Sequence, residues 1–262
     1  MGAVTVREHL IFSARLRMGR RFSDAQKIAR VEEVISKMNL VNCQNTLIGN
    51  RYDKSISLGE KKRLSFACEV LTDPSILFCD EPTSGLDAFM AKQVVKALQD
   101  LANEGKTIVL TIHQPSSQIF NMFNKLCLMA LGQMIFLGPP KKAAGIFKQA
   151  GYPMCGRDNP AEFCIEQLAL HEGEIEADQK ERIMKIKHFY DESNMASLYH
   201  DRIYGSVSER RKNLGNHDVR KREKYAADWF TQVLWLFVRS FRATLRDPLL
   251  LKVRLAQTLV SF

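Results

Sequence analysis

The chain has 262 residues, of which 45% are apolar and 26% are charged. These values exclude a wholly disordered chain, a collagen-like repeat and a disulfide scaffold, and they allow one large domain or a domain with appendages. No run of about 18 apolar residues is present, so no segment predicts a complete membrane-spanning helix.

The net charge of the chain is +9, and the short stretch at the carboxyl end is strongly basic. Residues 229–262 contain five basic residues, interleaved with aromatic residues, against the single acid Asp247. Such a pattern on a helix is typical of a membrane surface. Stacking on single-stranded nucleic acid is the less favoured alternative. We therefore predict a membrane contact and no nucleic-acid partner.

Helical and strand patterns alternate along the first half of the chain. Helical spacing of apolar residues predicts helices at Val4–Met18, Asp24–Met38, Glu60–Leu71 and Asp87–Ala102, with Thr5 and Ser23 as caps of the first and second. Short apolar runs predict strands at Ser75–Cys79, Thr107–Ile112, Leu126–Ala130 and Gln133–Leu137. We interpret the first two as buried parallel strands and expect a turn at Gly132 between the last two. The alternation predicts an α/β fold with a largely parallel sheet.

The pattern weakens after residue 170. Acidic and basic clusters alternate from His171 to Asp228, and we interpret this stretch as a charged, partly disordered linker with helical pieces. Trp229–Arg246 predicts an amphipathic helix, for which an ordinary core helix stays the alternative. Leu249–Phe262 then begins a more apolar stretch.

Two carboxylates, Asp80 and Glu81, directly follow the predicted strand Ser75–Cys79. In open α/β sheets ligands bind at the carboxyl ends of strands, where one acid can hold a phosphate-bound Mg²⁺ and the other can orient or deprotonate water. Acids in this position also cap helices. His113 ends the next strand, where it can contact a terminal phosphate, although a lone histidine there is usually structural.

A further candidate site is Ser57-Leu58-Gly59-Glu60 at the start of a predicted helix. A serine and a glycine at a helix N-terminus offer free N–H groups and the positive end of the helix dipole to an anion. In isolation, an ordinary serine cap explains the pattern equally well.

Taken together, the order and spacing of these motifs resemble the nucleotide-binding domain of ABC transporters. Ser57–Arg63 resemble the signature loop, Asp80 and Glu81 the Walker B aspartate and catalytic glutamate, Ser84–Asp87 the D-loop, and His113 the switch histidine. The resemblance implies ATP and Mg²⁺ as cofactors. It implies that Asp80 is the Mg²⁺ ligand, that Glu81 and His113 act in hydrolysis, and that ATP contacts come from Ser57, Gly59, Glu60 and Asp87.

Four further runs resemble the white-type, or G-subfamily, half-transporters: Thr5–Leu10, Thr83–Asp87, His113–Ser117 and Asn159–Phe163. In that subfamily the nucleotide-binding domain precedes the membrane domain, and two such domains close head to tail around ATP. The resemblance implies a second half-transporter as partner, in a homodimer or a heterodimer. It also implies a membrane location with the nucleotide-binding domain on the cytoplasmic side.

The chain departs from the family pattern in two places. It contains no G-x-x-x-x-G-K-[ST] phosphate loop, and Leu58 stands where the family has the second residue of Ser-Gly-Gly-Glu. Glycine permits close backbone approach, so Leu58 either blocks a phosphate or points away from it. We expect a chain that begins after the phosphate loop and the Q-loop, and that binds ATP weakly and hydrolyses it negligibly alone.

The expected organisation is a partial P-loop-NTPase-like (ABC-type) parallel sheet with a helical signature subdomain at 1–165, a charged linker at 166–228, and a connecting helix with the start of the first membrane helix at 229–262. The expected function is that of the nucleotide-binding portion of an ATP-driven exporter of lipids, sterols or pigment precursors. The alternative is a non-catalytic regulatory partner that uses a degenerate ABC fold for protein contacts.

Overall fold

The computed structural model describes residues 2–49, 55–156, 159–170, 175–213, 225–246 and 257. Contacts divide the chain into two compact units, Met1–Thr111 with Arg222–Phe262, and Ile112–Lys221. Each unit has a hydrophobic core of its own.

The first unit is mainly helical. Its elements are α1 (Val6–Arg17), α2 (Asp24–Lys37), α3 (Leu58–Val70), β1 (Ile76–Cys79), α4 (Ala88–Asn103), β2 (Thr107–Leu110) and α10 (Trp229–Leu245). All five helices were predicted from the sequence to within two residues at either end. Thr5 and Ser23 each form a capping box, in which the side chain of the N-cap and that of the third helical residue satisfy each other's backbone N–H groups. Local hydrogen-bonding chemistry therefore sets where α1 and α2 begin.

Strands β1 and β2 form a two-stranded parallel sheet in which Ile76 pairs with Thr107 and Cys79 with Leu110. Only one face of β1 is covered: Leu77 and Cys79 point into the core, whereas Phe78 is 76% exposed. The prediction of a fully buried strand is therefore wrong for these residues. A parallel strand is apolar on both faces only where both faces are covered, and among the described residues one face of this sheet has no cover.

The second unit contains the antiparallel strands β3 (Leu126–Ala130) and β4 (Gln133–Gly138) and the helices α5 (Ser117–Phe120), α6 (Pro140–Gln149), α7 (Pro160–Leu168), α8 (Glu176–Asp191) and α9 (Asn194–Asn213). Leu131 and Gly132 both have positive φ angles, of 52° and 71°, which is the geometry of a two-residue hairpin turn. The turn predicted at Gly132 is confirmed. The prediction of one largely parallel sheet is not confirmed, because β3 and β4 form a separate antiparallel pair.

Helix α8 lies within the stretch predicted to be a charged linker, yet it contributes to the core of the second unit. Ile183 and Ile186 are completely buried, and the Tyr190 hydroxyl donates to the carbonyl of Leu137 on β4 at 3.0 Å. The linker prediction is therefore wrong for 176–191. Its apolar residues recur every three to four positions, so they form one buried face although charged residues dominate the composition.

The described residues contain no helix that is long and apolar enough to cross a bilayer. Apart from Gln257, the predicted start of a membrane helix at 249–262 lies outside the described residues.

Candidate functional site

The acid pair lies at the carboxyl end of β1, as the sequence predicts. Asp80 and Glu81 are both exposed, and the register of the sheet places Thr111 beside them. The Thr111 hydroxyl donates to Asp80 Oδ1 at 2.6 Å, and its oxygen accepts from the Glu81 backbone N–H at 3.0 Å. One side chain directly after the neighbouring strand thus holds the Asp80 carboxylate and the Glu81 backbone relative to the sheet.

The backbone at Glu81 is strained, with a φ of 41° in the left-handed region that non-glycine residues rarely adopt. The turn that follows is closed by hydrogen bonds from the Ser84 N–H to the Glu81 carbonyl and from the Leu86 N–H to the Thr83 carbonyl, both at 3.2 Å. Residues held in such conformations cluster at functional sites. The strain therefore adds to the case for this strand end as a site.

The signature segment forms the first turn of α3. The Ser57 hydroxyl accepts from the Glu60 N–H at 3.2 Å, and the Glu60 carboxylate accepts from the Ser57 N–H at 2.7 Å. Burial disfavours ionisation of Glu60, but the hydrogen bonds from Ser57 prevail, and its pKa lies below the ordinary value. The serine-cap interpretation, weighed as an alternative, therefore describes the local structure correctly.

Gly59 packs closely against α4. It is buried, and a Cβ at this position would lie 3.3 Å from Sδ of Met90. Asp87 caps the same helix, since its Oδ1 accepts from the Met90 N–H at 2.8 Å. Both predicted ATP contacts therefore also have a role in how α3 and α4 begin.

Leu58 is 49% exposed, and its side chain lies against the turn after the acid pair. A Cβ at Gly85, where φ is 76°, would be 3.4 Å from Leu58 Cδ2. Leu58, which departs from the family pattern, thus places its apolar side chain against the predicted D-loop. Lys62, one turn further along α3, donates to the Glu81 carbonyl at 3.4 Å, so the signature helix and the acid pair are neighbours.

His113 belongs to the second unit, where it is exposed. Gln114 has a φ of 47°, Pro115 is buried, and the Ser116 hydroxyl caps the short helix α5 through the Ile119 N–H at 3.4 Å. Of the predicted site residues, six lie in the first unit around α3, β1 and the start of α4. His113 is the seventh.

Sequence reasoning missed Thr111 as a site residue. The available signal was its place directly after β2, in register with Asp80, but that register becomes visible only when the two strands are paired. Among the described residues no group of three or more His, Cys, Asp or Glu side chains could hold a metal ion.

A second feature of the first unit is the contact between α1 and α10. Arg246 donates to both carboxylate oxygens of Glu8, at 2.6 and 2.9 Å, and Arg242 lies 3.5 Å from the same carboxylate. The hydrogen bond from Arg246 lowers the pKa of Glu8 to about 2, although partial burial acts in the opposite direction. Next to this ion pair the Arg15 guanidinium stacks 3.9 Å above the ring of Trp235.

The opposite face of α10 is an exposed apolar stripe made of Phe230, Leu234, Phe237, Phe241 and Leu245. These residues recur at helical spacing, which confirms the amphipathic pattern. The alternative of a core helix is wrong, because α10 has no buried residue. The sequence interpretation assigned the basic residues to the membrane surface, but Arg242 and Arg246 contact Glu8 on α1 instead.

Two family models match the chain. Residues 2–84 match the model described as ABC transporter, and residues 113–257 match the model described as ABC-2 type transporter. The second match alone covers more than half of the 262 residues.

Curated proteins match along the whole chain. The ABC transporter ATP-binding protein/permease wht-1 of Caenorhabditis elegans is 45% identical over 100% of this chain and 40% of its own length. Protein white of Drosophila melanogaster is 44% identical over 98% of this chain and 37% of its own length. The broad substrate specificity ATP-binding cassette transporter ABCG2 of Bos taurus is 34% identical over 100% of this chain and 42% of its own length. The chain spans about two fifths of the length of these relatives.

A match was also found among solved structures. The ADP conformation of MJ1267, an ATP-binding cassette of an ABC transporter, aligns with a TM-score of 0.44 and 18% identity, over 53% of this chain and 56% of that chain. The two family matches carry the assignment. The chain belongs to the ABC transporter family and, within it, to the white-type G subfamily of half-transporters.

Proposed function

We propose that this chain is the nucleotide-binding-domain and membrane-proximal portion of an ATP-driven half-transporter that exports lipophilic substrates such as lipids, sterols or pigment precursors, and that it does not hydrolyse ATP alone. The observation that carries the proposal is the acid pair at the end of β1. Asp80 and Glu81 are exposed, fixed by the Thr111 hydroxyl and adjacent to the signature helix through Lys62. This is the part of an α/β sheet where ligands bind.

The proposed roles follow from the chemistry of each group. Asp80 holds the Mg²⁺ of MgATP, and the residues present fit this ion, because Mg²⁺ is usually bound by one or two carboxylates together with phosphate oxygens and water. The bound ion neutralises charge on the phosphates. Glu81 orients the attacking water and takes up its proton. For His113 we propose the role of the switch histidine in hydrolysis, which the family resemblance implies.

The signature residues serve a second half-transporter in this proposal. Ser57 uses its oxygen as the acceptor in the helix cap, so its O–H can still donate to a phosphate oxygen. Gly59 and Glu60 place the positive end of the α3 dipole at the same point, and Asp87 lies at the facing turn. ATP bound by a homologous or identical partner would be capped there.

The exposed stripe of α10 is proposed to face the membrane. Five large apolar side chains recur along one face of the helix and are exposed, an arrangement that suits the boundary between headgroups and acyl chains. The opposite face is anchored to α1 by the ion pair with Glu8. The cytoplasmic side of the bilayer is our proposal for the nucleotide-binding part, and it is taken from the resemblance to the G subfamily.

The test is ATP hydrolysis by this chain joined at its amino end to a segment with the family's G-x-x-x-x-G-K-[ST] phosphate loop. Glu81→Gln should lower kcat about 100-fold or more, since it removes the base but keeps the side-chain shape. Glu181→Gln, an exposed change on α8, is the matched control and should have no effect. Equal turnover in the two variants would contradict the proposal and favour the regulatory alternative.

A further inference from the structure

The side chain of Asn159 joins two segments of the second unit that are more than 40 residues apart in sequence. Its Nδ2 donates to the Pro115 carbonyl at 3.2 Å, and its Oδ1 accepts from the Ser117 hydroxyl, also at 3.2 Å. The same Oδ1 accepts from the Ala161 N–H at 3.2 Å and so caps α7. One amide therefore holds both the segment after His113 and the start of a helix.

The partners fix which end of the amide faces which group. The Pro115 carbonyl can only accept a hydrogen bond, and the Ala161 N–H can only donate one. Asn159 satisfies both at once in a single orientation, with nitrogen toward Pro115 and oxygen toward Ala161. An aspartate at this position would keep the helix cap but place an oxygen against the carbonyl oxygen of Pro115.

The helix that carries Asn159 is firmly anchored. Ala161 and Phe163 are buried at the start of α7, and the Phe163 ring packs against Phe147 of α6 with 5.5 Å between the ring centroids. The segment after His113 is held less extensively: Pro115 is buried, but His113 and Gln114 are exposed. The Asn159 amide thus connects a rigid element to a loop that carries a functional candidate.

We propose that Asn159 is a positioning residue for His113: through the Pro115 carbonyl and the Ser117 hydroxyl it fixes the loop that carries the imidazole. The positive φ of Gln114, 47°, makes the direction of His113 depend on how the next residues are held. This inference rests on the role proposed for His113 above. The hydrogen bonds that Asn159 makes to Pro115 and Ser117, called the Asn159 clamp below, can be tested without nucleotide.

The first test is amide hydrogen exchange on this chain, comparing Asn159→Asp, Asn159→Ala and the control Asn194→Asp at an exposed position on α9. Asn159→Asp should speed exchange over residues 113–120 by about fivefold to tenfold and leave α7 unchanged, because the cap survives. Asn159→Ala should speed exchange both over residues 113–120 and in α7, and Asn194→Asp should change exchange in neither segment. Unchanged exchange over 113–120 in Asn159→Asp would overturn the Asn159 clamp.

The second test is a double-mutant cycle on ATP hydrolysis, in the chain joined to the phosphate-loop segment. His113→Ala should lower kcat about tenfold or more. Asn159→Asp should lower kcat about fivefold with KM for ATP unchanged, and should lower it no further in the His113→Ala background. Full additivity of the two changes, or normal kcat in Asn159→Asp, would overturn the positioning role.

The two tests separate the failure of this inference from that of the proposed function. If His113→Ala leaves kcat unchanged, the role proposed for His113 fails and the positioning role fails with it. If His113→Ala lowers kcat and Asn159→Asp does not, only the assignment of Asn159 is wrong.

Discussion

The ion pair between Glu8 and Arg246 should hold α10 against α1 in a pH-dependent manner. Glu8→Gln isolates its contribution, because glutamine can still complete the capping box with Thr5 at the start of α1. The substitution therefore removes the charge and keeps the helix cap.

The magnitude follows from the pKa of Glu8, which falls from 4.5 to about 2 in the folded chain. A shift of this size corresponds to about 3 kcal/mol at full strength, at about 1.4 kcal/mol per pH unit. Solvent screening reduces it, since the side chains of Glu8 and Arg246 are 24% and 41% exposed. We expect Glu8→Gln to cost about 1–2 kcal/mol at pH 7.

The sign of the pH dependence is fixed. Because the folded-state pKa is depressed, the stabilisation is fully present above about pH 4.5 and is lost as the pH falls toward about 2. The difference between wild type and Glu8→Gln should therefore shrink over this range and vanish near its lower end.

The assay is urea unfolding followed by tryptophan fluorescence. The chain has two tryptophans, Trp229 and Trp235, and both lie on α10, so their emission reports the release of this helix. Glu69→Gln, which breaks the more exposed pair with Arg17, is the control and should cost about 0.5 kcal/mol or less. A Glu8→Gln midpoint equal to wild type at pH 7, or a difference that persists at pH 2, would contradict a stabilising ion pair between Glu8 and Arg246.

Three further substitutions test other contacts. Thr111→Val should destabilise the first unit by about 1 kcal/mol in urea unfolding, because Asp80 loses its hydrogen bond. It should also lower ATP turnover of the chain joined to the phosphate-loop segment. Unchanged turnover would count against the site at Asp80 and Glu81. Ile186→Ala should cost about 2–5 kcal/mol, whereas Met184→Ala, on the exposed side of α8, should cost under about 0.5 kcal/mol; equal costs would contradict a buried α8. Ser57→Ala should cost about 1 kcal/mol through the lost cap and lower the activity of a co-expressed intact half-transporter; equal transport with and without the change would argue against capping of a partner's ATP.

The parts of the fold that local chemistry determines could be predicted from the sequence. Thr5, Ser23 and Ser57 mark helix starts by side-chain caps, and the structure has helices at each of them. The placement of Asp80 and Glu81 at a strand end could be predicted as well, because the preceding apolar run is too short for a helix and follows Pro74.

The features that the sequence did not predict depend on contacts between segments that are far apart in the chain. Arg246 and Glu8 are 238 positions apart, and no local pattern connects them. The role of Thr111 requires the register of β1 against β2, and the role of α8 requires the facing strand β4. Charged composition concealed the buried face of α8, since a narrow apolar stripe is sufficient when a single neighbouring strand covers it.

The central claim is that Asp80 binds the metal of a bound nucleotide. Its most direct test is equilibrium binding of ATP, with and without Mg²⁺, to the chain joined to the phosphate-loop segment, comparing wild type with Asp80→Asn. We predict that Mg²⁺ tightens ATP binding about tenfold or more in wild type and not in Asp80→Asn. The same Mg²⁺ dependence in both proteins would contradict it.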